Sequence, residues 1–404
     1  MFDRKVWPAI ILASLGYFVD IYDLILFSIV RVDSLKEMGL SGDALMNDGL
    51  LLLNLQMIGM LVGGIFFGIL GDRKGRLSVL FFSILLYSLA NILNGLIDTV
   101  EAYAALRFIA GVGLAGELGA GITLVSELLP KEKRGYGTTI IASVGMGGAL
   151  LAWVVADTMS WRSAYIVGGC LGLALLFLRI GVFESGLFDK VKNTAHVSKG
   201  NFFQLFNNKA RFTKFMACIA VGAPLWYVIG LLITLSPEFA VYLQVQGEVE
   251  AGRAVFFSYA GLIFGDIASG LISQYFQSRK KSVLLFLVLT LISTGVYFFS
   301  RGLTVGQFYT LCFGMGISVG YWAMFVTIAA EQFGTNLRAT VATSTPNFVR
   351  GSIVLVTALF TFLKGYMDMW ASGLVVGIIV MIISFWGLWK IQETFHKDLD
   401  FLED

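Results

Sequence analysis

The stretch GYFVDIYDLILFS, residues 16 to 28, is apolar enough to lie inside a membrane, yet it carries Asp20 and Asp23 near its middle. A carboxylate at bilayer depth costs about 2.5 kcal/mol even on lenient insertion scales, so it needs a partner, a proton or a task. Three more charges interrupt apolar runs: Arg107 and Glu117 in RFIAGVGLAGELGA, and Arg350 in STPNFVRGS. Buried carboxylates can take up and release protons, and a buried guanidinium can receive an anion. Both histidines, His196 and His396, lie in polar segments, so any proton relay must run through carboxylates, and a transition-metal site built on histidine is not expected. Cys170, Cys218 and Cys312 are odd in number and lack metal-ligand spacing, so neither a metal site, a cofactor nor a disulfide framework is expected.

The elements that must position these residues follow from composition. The 404 residues are 57% hydrophobic and 14% charged, with 34 Phe and 46 Gly, and mean hydropathy is +0.80. Soluble domains carry roughly 25% charged residues, so this chain keeps its apolar surface in lipid. A net charge of +2 implies no nucleic-acid partner. Runs long enough to cross about 30 Å of hydrocarbon occur near 7–31, 49–70, 77–97, 101–127, 136–157, 162–183, 213–235, 253–276, 282–300, 305–331, 340–364 and 370–390. The expected fold is therefore an all-α membrane protein of twelve transmembrane helices. The N-terminal apolar run is too long for a signal peptide and is expected to be retained as the first span.

The longest polar stretch separates two halves, giving an N-terminal six-helix bundle at 1–183, a linker at 184–212, a C-terminal bundle at 213–392 and a tail at 393–404. Basic residues collect in alternate connections, among them Arg73, Lys74, Arg76, Lys131, Lys133, Arg134, Arg279, Lys280 and Lys281. That bias predicts a multi-pass plasma membrane protein, of the bacterial inner-membrane kind, with both termini cytoplasmic. GDRKGR at 71–76 is answered by QSRKK at 277–281, and LLPKEKRG at 128–135 by EQFGTNLRAT at 331–340. Such internal symmetry is the plan of a transporter with a midplane site between duplicated bundles.

At 1.5 Å per residue, Asp20 lies about 20 Å and Asp23 about 24 Å into the first span. Arg107, entering the fourth span from the other side, reaches a similar depth, so Asp23 and Arg107 can pair, either as a proton-coupling device or as a static lock. Glu117 has no basic residue within a turn; it is a second group for protonation, or a hydrogen-bonding group at a tight helix contact. Asp20, three residues from Asp23, is a further acidic ligand or a protonated group satisfied by a neighbour. Arg350 sits near the midplane of span eleven, where its anion is either Asp266 of span eight or the anionic group of a solute received with Asn347. Trp226, Tyr227, Tyr321 and Trp322 fall mid-span and are candidates to wall that site, with Gln56 and Asn54 as further ligands; singly, aromatic residues in spans more often pack.

Three of these segments resemble signatures of one family. GDRKGR resembles the loop signature of the major facilitator superfamily, RFIAGVGLAG at 107–116 its helix-four Arg signature, and SELLPKEKRG at 126–135 the Glu and Arg-Gly ending of that helix. The resemblance covers the whole chain and implies two pseudo-symmetric six-helix bundles. DIYD at 20–23 with AGELGA around Glu117 resembles the sugar porters and metabolite–proton symporters. By motif Asp23 and Arg107 then match a proton-coupling pair. Asp72 matches the residue that closes the inner gate against a helix N-terminus. Gly71 and Gly75 form its turn, Arg73, Arg76, Glu127 and Arg134 the charge network around it, and Glu331 and Arg338 a reduced version in the second half. The plainer reading of those loop charges is that they only set topology. ASVGMGGALLA in span five lacks the Gly-Pro signature of drug–proton antiporters, and QSRKK has lost the Asp and Gly of its counterpart.

The expected function is a proton-coupled symporter importing a small organic, anionic metabolite by alternating access, working as a monomer with solute, protons and bilayer as partners. A passive facilitator or exchanger is the alternative. No Walker-type nucleotide loop, H-E-x-x-H or G-x-S-x-G occurs, so an enzyme is not expected.

Overall fold

Ten of the described helices are long and apolar enough to cross a membrane, and a shorter apolar helix covers Ser78–Asn94. The computed structural model describes residues 7–74, 76–117, 134–184 and 202–395. In the first half these form α1 (Trp7–Glu37), α2 (Gly42–Lys74), α3 (Arg76–Asn94), α4 (Val100–Leu114), α5 (Arg134–Thr158) and α6 (Trp161–Glu184). The second half holds α7 (Lys209–Trp226), a π-helical segment (Tyr227–Ile233), α8 (Ser236–Tyr242), α9 (Ala251–Phe276), α10 (Arg279–Phe299), α11 (Val305–Ser318), α12 (Trp322–Glu331), α13 (Thr335–Lys364) and α14 (Met369–Lys390). Spans seven and ten are each interrupted: α7, the π segment and α8 make the former, α11 and α12 the latter. The first span runs to Glu37 rather than 31, and the second begins at Gly42 rather than 49. Gly75 and Glu127 fall outside the described residues, as does most of the expected linker.

Helix starts follow local chemistry. The side chains of Thr99, Asn208, Ser278, Thr304 and Asp368 each accept a backbone N–H of the turn they open, and Gln307 returns the bond to Thr304 to complete a capping box. Pro224 inside α7 cannot donate to the carbonyl four residues back. Ser384 Oγ of α14 donates to that Ala220 oxygen at 2.8 Å, and Tyr321 Oη donates to Val221 O at 2.9 Å. The π segment follows directly, ending where the Thr234 N–H reaches back to Ile229 O.

Glycines set the closest helix contacts, and they do so twice. In the first bundle a Cβ at Gly59, Gly63 or Gly111 would overlap a carbonyl oxygen of Phe108, Val112 or Gln56, on the α2/α4 seam. In the second, Gly261, Gly265 and Gly316 stand in the same relation to Phe313, Ile317 and Ser258, on the α9/α11 seam. Backbones approach this closely only where the side chain is absent. The two bundles then meet through α1, α2 and α5 on one side and α9 and α13 on the other.

At the face where α1 begins and α14 ends, here the terminal face, Arg279 pairs with Glu331 at 3.4 Å and Thr394 Oγ1 donates to the same carboxylate at 2.6 Å. Glu393 caps α10, accepting from Ser278 Oγ and from the N–H groups of Arg279 and Lys280. Partial burial opposes its ionisation, but these hydrogen bonds outweigh it and hold the carboxyl below the usual range.

Replacing Gly59 or Gly261 by Val should lower stability by about 1–3 kcal/mol through overpacking, whereas Gly295→Ala, which has open space around it, should cost nothing. Thermal unfolding of purified variants checks this; equal midpoints for all three would refute the tight seams.

Candidate functional site

Asp20 on α1 and Arg350 on α13 form an ion pair at 3.3 Å, and neither side chain is more than 1% exposed. The pair joins the two bundles near the middle of both helices. Asp20 Oδ1 and the Nε and Nη1 of Arg350 have no hydrogen-bond partner among the described residues. Tyr17, one turn before Asp20, and Tyr259 of α9 lie within electrostatic reach of Arg350, and the guanidinium carbon stands 5.8 Å from the centre of the Trp322 ring. A cation beside an aromatic ring and a carboxylate that it only partly satisfies can receive a second anion.

The alternative partner for Arg350, Asp266, is engaged elsewhere. Span ten unwinds at Val319–Tyr321, and Gly320 packs directly on the backbone of Gly265 and Asp266. Asp266 Oδ1 accepts the Ala323 N–H at 2.8 Å, capping the half-helix α12. A helix N-terminus exposed in mid-membrane is a nearby positive partner, and it takes the carboxylate that sequence alone leaves available for Arg350. The break thus places Trp322 beside Arg350 and keeps Asp266 occupied.

In the first bundle Asp23 and Arg107 are both fully buried, but they make no direct ion pair. Arg107 Nη2 donates to Asn91 Oδ1 at 2.5 Å and its guanidinium lies 4.6 Å from the Tyr165 ring centre. Asn91, on α3, intercepts the cation because it stands closer than the carboxylate. Tyr103 and Tyr165 share a 2.7 Å hydroxyl contact beside it.

Glu117 follows the end of α4 and is not alone, as its sequence neighbourhood implies; Arg179 of α6 forms a buried ion pair with it and also donates to Leu12 O of α1. Arg179 and Asn91 escaped the sequence reading. An arginine in LALLFLRIGVF is the same signal that marks Arg107, a charge in an apolar run; a lone Asn carries no comparable signal.

The remaining candidates divide. Asn347 Nδ2 donates to Ala115 O, the carbonyl at the end of α4, at 2.9 Å and so ties α13 to the opposite bundle. Asn54 Oδ1 accepts from Thr357 Oγ1 at 2.8 Å across the same interface. Gln56 donates to Leu24 O at 3.4 Å. Tyr227 is turned into the second bundle, its hydroxyl donating to Gly373 O at 2.8 Å, away from Arg350. Trp226 is buried, and its indole N–H has no partner among the described residues. Gly71, Asp72 and Arg73 lie in the last turn of α2, Arg76 opens α3 and Arg134 opens α5; the side-chain network required for gating lies outside what is described.

On the far face a second pair joins the bundles. Arg31, fully buried, donates to Glu238 Oε1 of α8 at 2.5 Å and to Thr234 O at 3.3 Å. Thr234 Oγ1 donates to Ser28 Oγ at 3.1 Å. The far side is therefore closed by contacts between α1 and the unwound end of span seven. The apolar run of the first span ends at Arg31, but α1 continues for six residues more.

Broken spans, paired intramembrane charges and duplicated seams describe a membrane transporter. The sequence model of the Major Facilitator Superfamily matches residues 13–356, and the chain belongs to that family, whose members carry solutes rather than act as enzymes. It is 29% identical over 362 residues to an inferred metabolite transport protein of Haemophilus influenzae, with 83% of each chain covered. It is 26% identical over 361 residues to the niacin transporter NiaP of Acinetobacter baylyi, covering 81% of this chain and 80% of that one. The structure of the proton:xylose symporter XylE, bound to 6-bromo-6-deoxy-D-glucose, superposes with a TM-score of 0.73 at 16% identity over 98% of both chains. That likeness shows the fold.

Asp20→Asn should destabilise the protein by about 3–5 kcal/mol, because it strands a buried cation, and Asp20→Asn with Arg350→Gln should recover most of the loss. Thermal unfolding decides it; equal losses in the single and double variants would contradict the pair. With the native cysteines replaced, Ser28→Cys should react several-fold faster with a membrane-impermeant maleimide when Glu238 is changed to Gln; an unchanged rate would mean that Arg31 and Glu238 do not hold the far side closed.

Proposed function

We propose that the protein is a proton-coupled symporter that imports a small organic anion by alternating access, with the terminal face cytoplasmic. The observation that carries this reading is the Asp20–Arg350 pair, buried, shared between the bundles and only partly satisfied. A solute carboxylate approaching Arg350 binds through the free Nε and displaces Asp20 from Nη2, the two nitrogens that form one edge of the guanidinium, to become a bidentate partner. Asp20 then faces a competing anion in dry surroundings, and a carboxylate that loses its cation there is neutralised by a proton.

Charge balance supplies the coupling. The empty site holds Arg350⁺ and Asp20⁻ and is neutral. The loaded site holds Arg350⁺, the solute anion and protonated Asp20, and is neutral again. Solute without proton leaves a net negative charge, and proton without solute leaves a positive one. Isolated charge is what a low-dielectric interior penalises most, so only the empty and doubly loaded states pass through the occluded form. Rocking of the bundles breaks and remakes the Arg31–Glu238 contact on one side while the central pair resets.

The aromatic neighbours Tyr17, Tyr259 and Trp322 favour a flat solute, and a relative named for niacin, an aromatic carboxylic acid, supports the same class. Asp23, Arg107 and Glu117 form the second tier of this reading, buried polar groups of the first bundle that relay a proton to or from Asp20.

In proteoliposomes loaded with a pH dye, a panel of small carboxylates beginning with nicotinate should show uptake that acidifies the lumen. Asp20→Asn should abolish accumulation and proton movement while retaining counterflow, and Arg350→Lys should weaken solute affinity about tenfold or more by losing the planar fork. Uptake that moves no protons, with accumulation intact in Asp20→Asn, would replace symport by facilitated diffusion.

A further inference from the structure

A cavity of about 550 Å³ opens on the terminal face of the second bundle, where the ends of α7, α12 and α14 meet. Its described lining includes Lys209, Lys214 and Lys390 together with the amide-bearing Asn208, Gln332 and Gln392, and no acidic residue. The nearby acids are engaged elsewhere: Glu331 with Arg279, and Glu393 with the start of α10. Lys214 is held in place, donating to Gln332 O at 3.2 Å and lying 4.8 Å from the Phe333 ring centre. Lys209 and Lys390 are exposed. Asn208 caps the first turn of α7, so the positive end of that helix faces the same side.

What borders the cavity defines its setting. Lys390 sits 4.4 Å from the ring centre of Trp389, which is 73% exposed, and Trp386, Phe212 and Met216 are exposed on the same α7/α14 exterior. In a chain whose outside is lipid, Trp and Lys at a helix end mark the headgroup level, and the apolar side chains above them face acyl chains. Basic pockets between helices at this level bind anionic headgroups.

We propose that this cavity is a headgroup site for an anionic glycerophospholipid of the adjacent leaflet. Its phosphate is received by Lys209, Lys214 and Lys390, and its acyl chains lie along the α7/α14 face. The site belongs to the second bundle alone and clasps three helix ends, including that of the broken span ten that carries Trp322. It is independent of the transport reading.

The test is native mass spectrometry of the purified full chain after equilibration with mixed vesicles of phosphatidylglycerol and phosphatidylcholine. Wild type should retain phosphatidylglycerol preferentially. Lys209→Gln with Lys390→Gln, which leaves the Lys214–Gln332 contact alone, should retain about tenfold less with phosphatidylcholine unchanged. Lys390→Gln alone should fall between, and Lys281→Gln, an exposed lysine elsewhere on that face, should match wild type. Equal retention in the double variant, or an equal loss in Lys281→Gln, would overturn the site, since binding would then follow overall surface charge. Displacement of the lipid by inorganic phosphate at comparable concentration would also overturn it, by marking a free-anion pocket.

Discussion

Everything in this protein that concerns function is organised by the cost of placing net charge in a medium that cannot solvate it. Ionisable residues stand buried inside the apolar spans of both bundles, and those described reach several settlements. Asp20 and Arg350 neutralise one another across the bundle interface, Glu117 and Arg179 do so within the first bundle, and Arg107 leans on Asn91 and an aromatic ring. The first settlement differs from the second in one respect that matters. Glu117 and Arg179 meet through two guanidinium nitrogens and are tied to one bundle, whereas Asp20 and Arg350 share a single 3.3 Å contact between the two bundles. A contact of that kind can be exchanged for a solute without unmaking the fold.

The backbone contributes as much as the charges. Span ten is broken so that its second half presents an N-terminus in mid-membrane, and Asp266 is spent on capping it. Span seven is loosened by Pro224 and the π segment, its freed carbonyls taken by Ser384 and Tyr321. Such irregular stretches are tolerated at membrane depth where protein groups take over the freed hydrogen bonds, as Ser384 does at Ala220 O and Asp266 at the Ala323 N–H. They also place Trp322 beside Arg350, and Glu238 against Arg31. The glycine seams of α2/α4 and α9/α11 hold the helices of each bundle in close backbone contact.

Much of the architecture was legible from residue order alone. Apolar runs of the right length give the spans, and charges inside those runs single out Asp20, Asp23, Arg107, Glu117 and Arg350, all of which prove buried. What could not be read was the pairing. Depth estimates allow Arg350 to meet Asp266 as readily as Asp20, because depth fixes position along a helix and not the direction in which its side chain points. Tyr17 and Tyr259 carry no sequence signal at all; only the crossing of α1 and α9 brings them to Arg350. Arg31 was hidden by the opposite problem, since hydropathy ends a helix where apolarity ends, and α1 continues beyond that point, with Ser34 held by Tyr103 and Glu37 by Trp161 and Arg162 of the first bundle.

The central claim is that Asp20 exchanges its cation for a proton when a solute anion takes Arg350. Infrared difference spectroscopy of the membrane-reconstituted protein, recorded as nicotinate or another accepted carboxylate is perfused to saturation, observes that event at the carboxyl itself. The account predicts a new protonated-carboxyl band on binding that is absent in Asp20→Asn. Saturating binding with no such band, or a band that persists in Asp20→Asn, would contradict it.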